Sequence, residues 1–398
     1  MDMTMEITDN VHYIGVNDRT TQLFEALWPL PAGVSYNSYL VTGSEATAII
    51  DGVELTHAAQ QIEAIKRALG PGRKPDYLVI NHMEPDHSGA IEVLRREWPE
   101  LIIAGNAQTL RMVKGFYGAE GLTLAVRDGD TLPLGGATLR FALTPMVHWP
   151  ETMMTLVEEQ GVLFSGDAFG CFGALNGAVV DREMDCDRYF PEMVRYYACI
   201  VGRYGRFVQR ALERLKDVDI KMLCPTHGPV WTERAAEVTG LYDRLSRYEA
   251  LDDGVAVVYG SMYGHTERMA EAIAGELARQ GVRNIEVLNA SHTTLDVILA
   301  AAFRHKGLAV AAPTYSDGLF PPVAHALEAL SVRCLAGRKV ILAGGHTWAH
   351  KAVPAMKELL AGCDLVEVAE PVKALQAPDD DALEACRESA RALAAALR

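Results

Sequence analysis

From Asp252 onward the chain alternates without interruption between short apolar runs and helical stretches. The runs are Val255–Tyr259, Ile285–Leu288, Leu308–Ala312, Val340–Ala343 and Leu365–Val368. Around them His265–Gln280, Leu295–Arg304, Pro322–Ser331, Lys351–Leu360 and Asp381–Leu397 read as helices, and Met269, Ile273 and Leu277 share one face of the first. Few architectures accept this pattern. Parallel strands joined by helices connect right-handedly and need cover on both faces. Five such units predict a doubly wound, five-stranded parallel sheet.

The preceding residues have another rhythm. Strands are expected at Asn37–Val41, Ala46–Asp51, Tyr77–Asn81, Leu101–Ala104, Leu122–Val126, Leu139–Leu143, Met153–Val157 and Val162–Ser165. Helices are expected at Ala58–Leu69, Ile91–Glu97 and Pro191–Lys216; in the last, Val194, Tyr197, Ile200, Val201, Tyr204, Val208, Leu212 and Leu215 keep three- and four-residue spacing. Strands in runs with helices added outside predict an αββα sandwich. A chain of 398 residues exceeds what one core fills. After an amphipathic helix near Ala235–Ala250 the rhythm changes, so residues 1–251 and 252–398 are expected to form two domains.

Composition narrows the function. With 49% hydrophobic and 22% charged residues the chain is globular, neither disordered nor fibrous. Its 37 Lys and Arg against 52 Asp and Glu give a formal net charge of −15, which repels nucleic acid. No apolar run approaches the ~18 residues of a membrane helix. Met1–Val11 lacks the pattern of a secretion signal, so a cytoplasmic protein without a membrane partner is expected. Seven cysteines, at 171, 186, 199, 224, 334, 363 and 386, include no C-x-x-C spacing, which excludes a rubredoxin module, a zinc ribbon or a disulfide framework within this chain.

Apolar Tyr77–Ile80 runs directly into Asn81-His82-Met83-Glu84-Pro85-Asp86-His87-Ser88-Gly89. Four potential metal ligands, H-x-E-x-D-H, thus occupy one strand-to-helix loop. Three more candidates follow or end apolar strands: His148 in Thr144-Pro145-Met146-Val147-His148, Asp167 in Leu163-Phe164-Ser165-Gly166-Asp167, and His227 in Cys224-Pro225-Thr226-His227. Ligands at strand ends sit on a rigid scaffold and converge in a cleft. Alone, His148 or His227 reads as an ordinary loop residue, and Asp86 or Ser88 as a helix N-cap. Seven together in this order do not. Three carboxylates and four imidazoles without a thiolate suit non-haem iron, while zinc and manganese also accept such ligands.

In the second half, strand Val255–Tyr259 enters Gly260-Ser261-Met262-Tyr263-Gly264-His265-Thr266 and then a helix, so hydroxyls and N–H groups meet at a helix N-terminus, an anion site. The pattern S-x-x-G-x-T is not that of a nucleotide-triphosphate loop. Two further loops stand at carboxyl ends of strands, where open α/β sheets bind ligands. They are Ala312-Pro313-Thr314-Tyr315-Ser316-Asp317-Gly318-Leu319-Phe320-Pro321 and Gly344-Gly345-His346-Thr347-Trp348, and each carries an aromatic residue able to stack on a planar ring.

The first constellation resembles the metallo-β-lactamase fold family, with Glu84 where its zinc hydrolases usually have histidine, and the second resembles the phosphate loop and ring-binding loops of flavodoxins. Joined in this order, the two halves resemble the flavodiiron proteins over essentially the whole chain, in their two-domain class. The resemblance implies one iron held by His82, Glu84 and His148, and a second held by Asp86, His87 and His227, with Asp167 bridging. It implies FMN held by the three loops, Ser261 to Thr266, Pro313 to Gly318, and Gly345 to Trp348. The third loop departs from a family pattern like G-S-Y-G-W at His346, while Trp348 fits. It further implies reduction of O₂ to water, of NO to N₂O, or of both, with electrons from an external rubredoxin or flavoprotein reductase. A head-to-tail homodimer, or a dimer of dimers, would bring the flavin of one subunit to the irons of the other. Tyr197 and Trp149 are possible groups around the metals, with core packing the more ordinary role of each. Two other readings compete: a zinc-dependent hydrolase with a flavodoxin-like regulatory domain, against which Glu84 speaks, and a pure electron carrier, against which the complete metal set speaks.

Overall fold

A parallel strand buried on both faces needs an unbroken apolar run, and the run near residue 255 supplies one: Val255, Val257 and Tyr259 join the core on one face while Ala256 and Val258 are buried on the other. The computed structural model describes residues 5–118 and 121–398; of the stretch Met1–Val11 read above, residues 1–4 lie outside the described residues. Contacts divide the chain into two units. One holds the residues up to Tyr196 together with Arg206–Asp243, the other Tyr197–Gly205 together with Arg244–Arg398.

In the second unit the strands stand in the order Ile285–Asn289, Asp252–Tyr259, His305–Tyr315, Ala336–His346 and Asp364–Glu367, all parallel. This is the doubly wound order expected, with the topological switch beside the first strand. Helices His265–Arg279 and Asp380–Leu397 pack together against one face. Besides the two-residue strand Gly318–Leu319, which folds back antiparallel on Thr314–Tyr315, one strand escaped the sequence reading: Val372–Leu375 takes over from Asp364–Glu367 as neighbour of strand Ala336–His346. It is short and its exposed positions are Lys373 and Leu375, so no apolar run marks it.

The first unit stacks two sheets. One runs Met5–Thr8, Val11–Tyr13, Tyr39–Thr42, Thr47–Ile50, Tyr77–Val79, Ile102–Gly105 and Thr123–Ala125; the other Thr131–Pro133, Thr138–Leu143, Met153–Val157, Val162–Gly166 and Met222–Pro225. Helices Ala58–Leu69 and Ile91–Glu97 lie where expected. Helix Ala107–Tyr117, capped by Asn106, and the short strands before Tyr36 were not anticipated.

The single helix expected over Pro191–Lys216 is broken. An α-helix covers Tyr189–Tyr196, a π turn Tyr197–Val201, a 3-10 turn Gly202–Tyr204 and a second α-helix Gly205–Leu215. Glycine weakens a helix interior, and here both glycines are needed: a Cβ on Gly202 would stand 2.9 Å from the Phe303 ring, and one on Gly205 2.4 Å from the Ser246 carbonyl.

Candidate metal centre and flavin cavity

The seven predicted ligands occupy the carboxyl ends of four strands. His82 to His87 follow Tyr77–Val79 through the short helix Pro85–Ser88; His148 follows Thr138–Leu143, Asp167 follows Val162–Gly166, and His227 follows Met222–Pro225. Pro85 opens that short helix, so neither Asp86 nor Ser88 caps it; the Ser88 hydroxyl instead bonds back to the Met83 and Glu84 carbonyls at 2.8 and 3.0 Å. All but Asp86 are buried, and Asp86 keeps only 12% of its side chain exposed.

Two sets of ligand atoms form. In one, Glu84 Oε2 lies 3.3 Å from His82 Nε2 and 3.1 Å from His148 Nε2. In the other, Asp86 Oδ2 lies 3.2 Å from Nε2 of both His87 and His227. Asp167 faces both: Oδ2 is 3.1 Å from His148 and 3.4 Å from His82, while Oδ1 is 3.0 Å from His87 and 3.6 Å from His227. All four imidazoles therefore point Nε2 inward.

Whether a metal pair fits such a set is decided by what the atoms lack. Both oxygens of Asp86, both ring nitrogens of His87, Oδ2 of Asp167 and Nε2 of His227 are buried without a hydrogen bond. Orphaned polar atoms in such number are foreign to a finished protein interior. Burial pushes the Asp86 carboxyl up to about 7, His87 opposes this, and the carboxylates of Glu84 and Asp167 add to it. Burial lowers the His227 pKa, which favours the neutral imidazole a metal needs. Cations at these two positions relieve both problems, and the donors are those of non-haem iron.

Neighbours missed by sequence reasoning set the orientation of these rings. Glu151 Oε1 accepts from His82 Nδ1 at 2.9 Å and from the Met83 N–H at 2.9 Å, which leaves His82 Nε2 to the metal side. His227 Nδ1 lies 2.7 Å from the Ser35 carbonyl, and Asn37 donates to the Pro225 and Gly228 carbonyls at 2.8 Å each. Asp51 accepts from Asn81 N and Nδ2 at 2.7 and 2.9 Å and anchors the motif. Nothing in the local sequence around Glu151 or Asn37 marks them, because their partners lie 69 and 188 residues away.

Of the two aromatic residues singled out beforehand, Trp149 stands edge-on to His82 at 5.2 Å, whereas Tyr197 packs against Phe303 at 6.1 Å. Tyr196 is the one beside the ligands: its ring is 5.6 Å from His227 and its hydroxyl is buried without a partner. Burial, with the charges of Asp167, Asp86 and Glu84 nearby, raises its pKa well above the usual value. A tight turn with Glu25 and Ala26 at φ 51° and 55° brings the Glu25 carboxyl beside that of Glu84, and Trp28 Nε1 donates to it at 2.9 Å.

In the second unit a cavity of about 550 Å³ opens at the carboxyl ends of the strands, a volume suited to a small cofactor. Ser261, Met262, Tyr263, His265, Thr266, Pro313, Thr314, Tyr315, Ser316, Asp317, Gly345, His346, Thr347 and Trp348 line it; Gly264 and Gly318 do not. Gln376 and Ala377, which follow the unanticipated strand, complete the wall. Gly264 acts instead as the backbone turn, at φ 85°, that starts helix His265–Arg279 and donates to Ser261 Oγ at 3.0 Å. Thr314 Oγ1 accepts from the N–H groups of Lys351 and Ala352, so it ties two loops together. A helix N-terminus at one end suits a phosphate. Tyr263 and Trp348 are 86% and 90% exposed along this lining.

The fold and these two sites define a metallo-β-lactamase-like domain joined to a flavodoxin-like one. Residues 34–228 match the ODP family beta lactamase model and residues 257–389 the flavodoxin model. The anaerobic nitric oxide reductase flavorubredoxin of Escherichia coli O1:K1 / APEC is 30% identical over 398 residues, covering 98% of this chain and 82% of that protein. Rubredoxin oxygen:oxidoreductase from Desulfovibrio gigas matches with a TM-score of 0.93 at 26% identity, covering 99% of this chain and 98% of the other. The flavodiiron protein from Giardia intestinalis matches with a TM-score of 0.92 at 27% identity and the same coverage.

The chain belongs to the flavodiiron protein family and is an oxidoreductase; its cofactors are FMN and a non-haem diiron pair. The regulatory-domain hydrolase reading falls with this, as does the pure electron carrier. Among the described residues no helix is long and apolar enough to cross a membrane.

Proposed function

We propose that the chain reduces O₂ to water, NO to N₂O, or both, at a diiron centre held by His82, Glu84 and His148 on one side and Asp86, His87 and His227 on the other, with Asp167 between. The observation that carries this reading is the two-faced placement of Asp167, one oxygen toward each set. When bound, the iron pair and the flavin supply two electrons each, enough for O₂ to reach water without released peroxide and more than the two needed to couple two NO.

The residues have distinct tasks in this reading. Glu151 and the Ser35 carbonyl hold His82 and His227 in the tautomer that leaves Nε2 free. Thr226 Oγ1 donates to Asp167 Oδ1 at 2.6 Å and restrains its rotation. Tyr196, kept protonated by burial, holds a proton at its hydroxyl beside the ligands. Buried walls around His82, His87 and His227 exclude bulk water from the ligand atoms. In the second unit the turn Ser261–Thr266 binds the FMN phosphate, Tyr315 and Trp348 border its ring, and Pro313 to Asp317 and Gly345 to Thr347 close the cavity.

Electrons come from a rubredoxin or a flavoprotein reductase in the cytoplasm, a compartment that fits seven free cysteines. We further propose a head-to-tail homodimer, alone or paired into a tetramer, since Trp348 and Tyr263 stand open to solvent at the cavity mouth. The test is steady-state consumption of O₂ and of NO by protein loaded with iron and FMN, with a chemically reduced donor. Turnover of neither gas by fully loaded protein overturns the reading.

A further inference from the structure

The wall of the flavin cavity carries one imidazole, backed by a second behind it, that the phosphate turn and the stacking aromatics leave unused. His346 ends strand Ala336–His346 and lines the cavity; His350 lies four residues on, before helix Ala352–Leu360. Their rings are 4.9 Å apart and nearly perpendicular, at 80°. Nδ1 of His346 and Nε2 of His350 are both buried without a hydrogen bond. The backbone of His346 is locked, since its carbonyl accepts from Gln376 N at 2.7 Å and its strand pairs with Val372–Leu375. Its ring is thus placed by the main chain, with no bond of its own that a ligand would have to break.

His350 is the neutral partner. Burial lowers its pKa, and the nearby His346 and Lys373 lower it further. The other charged or titratable groups on the cavity lining are Asp317, His265, Tyr263 and Tyr315. An imidazole on the cavity wall, backed by a neutral ring, is a hydrogen-bond donor placed where a bound ring would lie.

We propose that His346, backed by His350, donates a hydrogen bond to the bound flavin and raises its reduction potential. The inference rests on the FMN reading above. Uptake of two electrons and one proton converts oxidised FMN to the anionic hydroquinone; the electrons come from the donor protein and the proton from solvent. A donor beside the ring favours the anion over the neutral oxidised form. A hydrogen bond to a charged group is worth about tenfold in such an equilibrium.

The test is a spectroelectrochemical titration of FMN in the full-length, iron- and FMN-loaded protein. At the potential where half the wild-type flavin is reduced, His346→Phe is expected to lower the reduced-to-oxidised ratio about tenfold, the size of that one bond. His346→Gln, which keeps an N–H, is expected to stay within about threefold of wild type. A phenylalanine variant that binds FMN with an unchanged ratio overturns the proposal. If phenylalanine displaces the flavin, His346→Ala replaces it under the same two outcomes. Wild-type protein that retains no FMN would sink the flavin reading itself, a result separate from an unchanged potential.

Discussion

The Glu151 carboxylate lies 2.9 Å from His82 Nδ1, although 69 residues separate them in the chain. Burial pulls the His82 pKa down, but Asp167, Glu151 and Glu84 together hold it well above 6.5. The same carboxylate accepts from the Met83 N–H, so it fixes both the ring and the turn that carries it. Replacing it should loosen the metal side without touching a ligand. Glu151→Gln is expected to weaken iron retention about 10- to 100-fold, measured as iron released to a competing chelator. Iron retention equal to wild type would show that Glu151 is only a packing group.

Asp167 faces both ligand sets, so Asp167→Ala should remove both irons and all gas reduction. FMN content should stay near wild type, because the flavin cavity is lined entirely by residues of the second unit. Metal analysis and the flavin spectrum of one preparation decide the matter. A variant that keeps one iron places Asp167 in a single set.

The second unit contains a clasp at the amino ends of its strands, the end opposite the flavin cavity. His305 is buried, with Nδ1 2.6 Å from Asp252 and Nε2 2.9 Å from Glu286. Burial opposes the charge on His305, but Glu286 and Asp252 raise its pKa above 6.5; His305 in turn lowers the Glu286 pKa below 4.5. The raised histidine contributes stability that is complete below pH 6.5 and is lost as pH climbs through its folded value. The depressed glutamate contributes stability that is present above pH 4.5 and is lost as pH falls. The clasp should therefore stabilise most between those two values. Urea unfolding of the full chain should show a wild-type advantage over His305→Gln at pH 5.5 that shrinks by pH 9. An advantage that grows with pH would reverse the assignment of the charged form.

Dimer function can be tested by complementation. One variant, His82→Ala with Glu84→Ala, lacks metal ligands; another, Ser261→Ala with Thr266→Ala, lacks hydroxyls of the phosphate turn. Each should be inactive alone. Mixed and exchanged, they should recover activity, since closed two-fold symmetry gives each heterodimer one intact flavin facing one intact metal pair. Confirmed exchange without recovery would mean that flavin and metal cooperate within one chain.

Gly228, at φ 81°, sits directly after His227, and a Cβ there would meet Cys171 Sγ at 2.2 Å. Gly228→Ala is expected to cost about 1–3 kcal/mol of stability and to shift His227. Thermal unfolding together with iron content would register both effects.

Much of this molecule was legible along the chain because its signals are local. Apolar runs buried on two faces announced the parallel strands at Val255–Tyr259, Leu308–Ala312 and Val340–Ala343, and H-x-E-x-D-H announced a loop of potential ligands at the end of one strand. Fourteen of the sixteen residues expected around the flavin line the cavity, because loops at carboxyl ends of strands must meet there. Strand Val372–Leu375 stayed hidden because a short edge segment needs no apolar pattern, and its loop brought in Gln376 unseen.

What sequence alone determined, then, was residue type at the places where strands end: four imidazoles and three carboxylates, three loops with hydroxyls, glycines and aromatics. Tertiary structure decided how those groups are aimed. Tyr196 and Tyr197 are neighbours in the chain, yet one faces the ligands and the other Phe303, across the point where the helix changes its winding. Glu151 and Asn37 serve His82 and the His227 loop only because separate strands bring them within hydrogen-bond distance. A hydrogen bond depends on position to a few tenths of an ångström, and no local pattern encodes a distance between segments so far apart.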